Sequence, residues 1–207
     1  MITFALLGHG AAAPNGSAEP LGTWPNLVTL VRTVVAVGLG TAAVARTDVV
    51  MLGLAYAIYW AGDVADGWLA RRLGQETRTG AVFDIVGDRA CTVLLCAGLV
   101  AARPGAWLVA LVFLVSFAVA DTMLSLSFLH WDLLGPNDFH RVDRTVWLVN
   151  WSPPAKAVNT AGVVGLTLLG LYRVALLLAV AVLVVKVASG LRVIRLVPGA
   201  RPRVTSP

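Results

Sequence analysis

Six stretches of this chain, roughly 26–45, 49–71, 80–102, 105–129, 157–172 and 174–196, are so poor in charge that water is the wrong solvent for them. A bilayer core takes about 20 mostly apolar residues per helix. Inside it every backbone N–H and C=O must be paired within the protein, which leaves a chain of this kind the α-helix. Composition agrees: 58% of residues are hydrophobic and 13% charged, against about 25% charged in soluble domains. Disorder, nucleic-acid scaffolding and a conventional cytosolic enzyme are thereby excluded. The basic excess, 16 against 11, is spread too thinly to make a nucleic-acid patch. The expected fold is all-α, a polytopic membrane protein with six transmembrane helices. Residues 1–25 form an interfacial or loose segment, 26–197 the membrane domain and 198–207 a cytoplasmic tail. Ile2–Leu7 is too short for a signal-peptide core and has no basic residue before it.

Orientation follows from the loops. Arg71, Arg72, Arg78, Arg141, Arg144, Lys156, Arg192, Arg195, Arg201 and Arg203 fall on one side, Arg46, Arg103 and Arg173 on the other. Lys and Arg collect on the cytoplasmic side, so both termini are expected there, in the inner (plasma) membrane. The tail arginines serve as topology and headgroup anchors. Most of the tryptophans fall near predicted boundaries, as an interfacial belt requires. Cys91 and Cys96 share one apolar run and read as small hydrophobes.

Four acids contradict the hydropathy around them: Asp63, Asp66, Asp84 and Asp88. A carboxylate at bilayer depth costs about 2.5–3.5 kcal/mol even on insertion scales, so something must compensate four of them. Asp63 and Asp66 are i and i+3 on one helix face, and Asp84 and Asp88 are i and i+4 on the next. The intervening loop, centred near Gln75, folds the two runs into a hairpin. At 1.5 Å rise per residue the two pairs reach matched depths, so four carboxylates should meet just inside the cytoplasmic surface, at the ends of helices 2 and 3. Oxygen ligands without His or Cys favour hard divalent ions, Mg2+ or Mn2+. Gly62, Gly67, Ala70, Gly80 and Gly87 leave room for a phosphate-bearing substrate. Two ions there would polarise a phosphoryl group and stabilise both attacking and leaving oxygens.

The run from Asp63 to Arg71 (DVADGWLAR), eight further residues, and Gly80 to Asp88 (GAVFDIVGD) resemble the signature of the CDP-alcohol phosphatidyltransferase family. Every fixed position of D-x2-D-G-x2-A-R…G-x3-D-x3-D is filled. Asn26, Thr29 and Arg32 look like that family's segment at the first helix. The resemblance implies an integral-membrane enzyme of phospholipid synthesis. It would transfer a phosphatidyl group from CDP-diacylglycerol to a small alcohol and release CMP. It implies two metal ions bridged by Asp63 and Asp84, with Asp66 completing one shell and Asp88 the other. Asp88 would also be the general base. Asn26, Thr29, Gly67, Ala70, Arg71, Thr77 and Gly80 would hold CDP-diacylglycerol, Arg71 through its two-pronged donor geometry. Members of the family are often homodimers.

The acceptor alcohol is less constrained. Glycerol 3-phosphate is the default, with inositol phosphate, phosphatidylglycerol (cardiolipin synthesis) or a free alcohol as alternatives. Candidate acceptor contacts are Arg32, Asp121, Arg141, Arg144, Lys156 and Lys186. Arg32 and Lys186 lie inside spans and must be functional or paired. Lys156 is either a phosphate contact or a snorkelling anchor, and Arg141 and Arg144 are acceptor contacts or solvated loop charge. Asp121 is either an acceptor contact or a helix-packing residue. The fourth span carries no cation between Arg103 and Arg141, which weighs against phosphorylated acceptors, inositol phosphate most of all. The rival from another class is a cation-binding transporter, which predicts acids spread through the membrane depth and helices broken near the midplane.

Overall fold

A computed structural model describes residues 19–197, which form helices and turns with no strand. The expectations for residues 1–18 and for the tail at 198–207 lie outside the described residues. The described residues divide into two compact units that part between Trp107 and Leu108.

The first unit holds three long helices: α1 (Trp24–Arg46), α2 (Val49–Leu73) and α3 (Arg78–Ala102). Local chemistry sets their ends. Thr23 caps α1 by accepting from the Asn26 N–H, and Pro25 stands in the first turn, where a missing N–H costs nothing. Asp48 caps α2 through the Val50 and Met51 N–H groups. Thr77 caps α3 through the Gly80 N–H at 2.9 Å. Gly74, in left-handed backbone at φ 61°, stops α2, and the Gln75 N–H then donates back to the Ala70 carbonyl. The predicted hairpin therefore turns over Gly74–Thr77, close to its expected centre. Helix α1 packs on both α2 and α3, more extensively than those two pack on each other.

In the second unit, α4 (Trp107–Leu114) and α5 (Thr122–Leu126) are joined by a π-helical stretch, Val115–Asp121. With short 3-10 turns at either end they make one run, Pro104–His130. There follow α6 (Arg144–Asn150), α7 (Pro153–Lys156), the π stretch Ala157–Gly162, α8 (Val163–Leu168) and α9 (Tyr172–Leu196). Among the described residues five helical runs are long and apolar enough to cross a membrane: α1, α2, α3, Pro104–His130 and α9. The chain is a multi-pass membrane protein. The fifth expected span, 157–172, is not among these runs. Its helix begins earlier, at Pro153 behind a Ser152 cap, and stops at Leu168, because Gly170 takes φ 77°. It is shorter than a full crossing and contains a π turn.

Several buried polar groups within the second unit's helices are paired across or along helices. The Lys186 ammonium donates to the Asp121 carboxylate, and both residues are buried. Asn150 Nδ2 donates to Ser189 Oγ at 2.9 Å. Asp143 caps α6 through Thr145 and Val146 and accepts from Arg192 Nε at 2.6 Å. Burial alone would raise the Asp143 carboxyl. The Val146 and Thr145 N–H groups and the Arg192 guanidinium outweigh it and hold that carboxyl below the ordinary range.

Two outcomes follow for detergent-solubilised protein followed by thermal unfolding. Lys186→Met should destabilise by about 3–5 kcal/mol because it strands a buried carboxylate, and adding Asp121→Asn should recover most of the loss. Asp143→Ala should cost about 1 kcal/mol or more and Asp143→Asn less, since Asn still caps. The charge-dependent part of the Asp143 contribution is present above the ordinary carboxylate range and is lost as pH falls through the lowered native value. The difference between wild type and Asp143→Asn should therefore shrink on acidification.

Candidate active site

The site lies wholly in the first unit and is built from one face of each of its three helices. Asp63 and Asp66 come from the C-terminal half of α2, Asp84 and Asp88 from the N-terminal half of α3, and Arg32 from the middle of α1. Helical spacing brings each acidic pair onto one face, and the Gly74 turn brings the two faces together. Asp63, Asp66 and Asp84 each present an oxygen within 4.8 Å of the others'.

Arg32 occupies the centre. Its Nε donates to Asp66 Oδ2 at 2.8 Å, and its Nη2 reaches Asp88 Oδ1 at 3.1 Å and Asp63 Oδ1 at 3.5 Å. The same Nη2 also donates to Asp84 Oδ1. One guanidinium thus touches all four carboxylates. Its side chain is 2% exposed, as against 6% for Asp66, 19% for Asp88, 37% for Asp84 and 40% for Asp63. The cluster is therefore sealed beneath Asp66 and open over Asp63 and Asp84. Tyr59 places its ring 5.4 Å from the guanidinium carbon, a cation–π contact on the same side chain. Arg32 Nη1 is buried without a hydrogen-bond partner among the described residues.

Close approach of α1 explains the glycines. A Cβ at Gly62 would lie 2.5 Å from Arg32 Cβ and 2.6 Å from its Cδ. The absence of a side chain there is what lets the Arg32 stem pass. At Gly80 a Cβ would lie 2.8 Å from both Asn26 Oδ1 and Thr77 Oγ1. Small residues at a helix contact let backbones approach in this way.

Of the residues expected to hold the nucleotide, Thr29 joins the cluster directly, its hydroxyl 2.7 Å from Asp66 Oδ2. Asn26 is buried at the start of α1 with its amide on the Leu21 carbonyl at 3.0 Å. Gly67, Ala70 and Arg71 continue along α2 beyond Asp66, and Arg71 is exposed. Thr77 and Gly80 stand at the first turn of α3, next to Asn26.

The acceptor candidates divide. Arg32 belongs to the cluster. Asp121 and Lys186 are paired with each other in the second unit, which also holds Arg141, Arg144 and Lys156. Lys156 Nζ donates to Asn137 Oδ1 at 2.9 Å. Arg141 is exposed, and Arg144 lines an open depression of about 380 Å³ with His140 and Trp147. Sequence reasoning left out Tyr59 and the place of Arg32 among the acids. A usable signal existed, because Asn26, Thr29 and Arg32 recur every third residue along one face, and a cation at that depth needs a carboxylate.

Oxygen donors set this closely, with neither His nor Cys among them, suit a hard divalent cation. The sequence model of the CDP-alcohol phosphatidyltransferase family matches residues 22–191. No curated protein and no solved structure matches the chain. The acidic cluster could hold a metal ion, and the family match takes in every residue of it and most of the second unit, so this chain belongs to the CDP-alcohol phosphatidyltransferase family and is an enzyme of that class built into a membrane.

Proposed function

We propose that this enzyme transfers a phosphatidyl group from CDP-diacylglycerol to a small alcohol, glycerol 3-phosphate first among the candidates, and releases CMP. The observation that carries the reading is the convergence of four motif carboxylates at the open end of a three-helix membrane unit. A lipid substrate whose tails stay in the bilayer needs its reactive phosphate met at such a place. Residues 26–197 act as one catalytic membrane domain, with the site at the cytoplasmic face of the inner membrane, as the loop arginines favour.

Asp63, Asp66, Asp84 and Asp88 would hold Mg2+ or Mn2+, two ions by the motif. Bound there, the metal supplies Lewis-acid polarisation of the pyrophosphate and neutralises charge on the departing phosphate. Asp88 takes the proton from the acceptor hydroxyl. That oxygen then bonds to the phosphorus bearing diacylglycerol as the phosphorus–oxygen bond to CMP breaks. Arg71, exposed one turn beyond Gly67, donates to a phosphate of the nucleotide through two N–H groups. Asn26, Thr29, Gly67, Ala70, Thr77 and Gly80 form the rim that admits the nucleotide. Their small or polar side chains leave the backbone accessible there. The pairing of Asp121 with Lys186 favours a helix-packing role for both over acceptor binding.

CMP release from CDP-diacylglycerol tests the reading directly, with glycerol 3-phosphate, inositol phosphate, phosphatidylglycerol, serine and inositol offered singly. Product is expected with glycerol 3-phosphate and Mg2+ or Mn2+, and none after chelation. Release with a different acceptor alone would replace the acceptor and keep the reaction. Asp63→Asn and Asp84→Asn should abolish turnover. Asp88→Asn should lower kcat by about 10²–10⁴ with a much smaller change in CDP-diacylglycerol binding. Equal losses in binding and rate would remove Asp88 as the base.

A further inference from the structure

We infer that Arg32 is an internal counter-cation that competes with divalent metal for the carboxylate oxygens of Asp63, Asp84 and Asp88, so that metal loading requires its Nη2 to give way while Nε stays on Asp66. The inference rests on the metal reading of the cluster given above.

Four observations converge on it. Nη2 is bonded to, or within 3.5 Å of, an oxygen from each of Asp63, Asp84 and Asp88, so it stands where a cation shared by these oxygens would stand. An ion that took these same oxygens would meet Nη2 in its coordination shell, and like charges at that range repel strongly where water is scarce. The guanidinium is only partly satisfied on its far edge, because Nη1 is buried without a hydrogen-bond partner among the described residues. Finally, the stem is aimed at the acids by the slot at Gly62, where any side chain would collide with Arg32 Cβ and Cδ.

The anchoring is asymmetric. The Nε contact to Asp66 is the most buried of the set, and Thr29 holds the same Asp66 oxygen from the other side. The Nη2 contacts face the half-exposed Asp63 and Asp84, the side open to ions. Because the guanidinium is planar, Nη2 withdraws only as the whole group tilts about the Nε–Asp66 contact, a change of angle that a hydrogen bond tolerates. Arg32 on this reading is a positioning residue. Without metal it keeps four carboxylates from repelling one another, and when metal arrives it sets how tightly the metal is held.

The test measures Mn2+ binding to the full chain in detergent, by titration calorimetry or by the loss of the free-ion paramagnetic signal, together with thermal midpoints in chelator and in saturating Mn2+. Arg32→Gln should bind Mn2+ at least about tenfold more tightly than wild type, since a competing charge-assisted contact is lost. Its midpoint in chelator should fall, and saturating Mn2+ should restore it. Arg32→Lys keeps the charge and loses the fork, so its affinity should lie between the two. Gly62→Ala keeps every charged group but displaces the Arg32 stem, and should also tighten binding. If Arg32→Gln does not survive purification, the last two variants decide. Mn2+ affinity that is unchanged or weaker in the variants overturns the inference and leaves the metal site standing. Mn2+ binding to wild type that survives Asp84→Asn overturns the metal reading, and this inference with it.

Discussion

Carboxylates inside apolar helices need a counter-charge, and the first unit is arranged around that need. Taking an ion out of water costs several kcal/mol even after relaxation, and an unpaired cluster of like charges is worse. Arg32 answers it with one guanidinium spread over Asp63, Asp66, Asp84 and Asp88. A lysine offers one nitrogen where Arg32 uses two, Nε on Asp66 and Nη2 on Asp63, Asp84 and Asp88. Through this contact α1 is tied to both α2 and α3.

That contact is possible only because backbones come close. Gly62 makes room for the Arg32 stem, and Gly80 for Asn26 and the Thr77 cap. In a membrane, helices gain little from hiding apolar surface from lipid, which is itself apolar. Close van der Waals fit and hydrogen bonds across helices supply the cohesion instead. Gly62 and Gly80 thereby let α1 come close to α2 and α3.

The second unit handles the same problem differently. Its buried charges are balanced one to one, Lys186 with Asp121, and Asn150 is matched to Ser189 on the facing helix. Asp121 ends a π-helical stretch, where a wider turn re-aims the side chain relative to a regular helix. No comparable group of acids converges there among the described residues. The acidic cluster thus belongs to the first unit, and polar pairing in the second ties helices together.

How much was legible beforehand depends on the range of the physics involved. Hydropathy, the Asp63–Asp66 and Asp84–Asp88 spacings and the turn near Gln75 are local properties, and they were enough for the helical membrane class, the hairpin and the convergence of the acids. The end of the short fifth segment was not legible, because hydropathy continues past Leu168 while the backbone turns at Gly170. Periodicity places a residue on a face but does not say which face meets which. That the Thr29–Arg32 face of α1 lies against the acids, that Tyr59 covers the guanidinium, and that Lys186 chooses Asp121 are decided by helix packing between segments 27 to 65 residues apart in the chain. The sequence by itself determined which charged groups had to find partners. Only the tertiary structure decided the partners, because pairing energy depends on distances between helices that no local pattern contains.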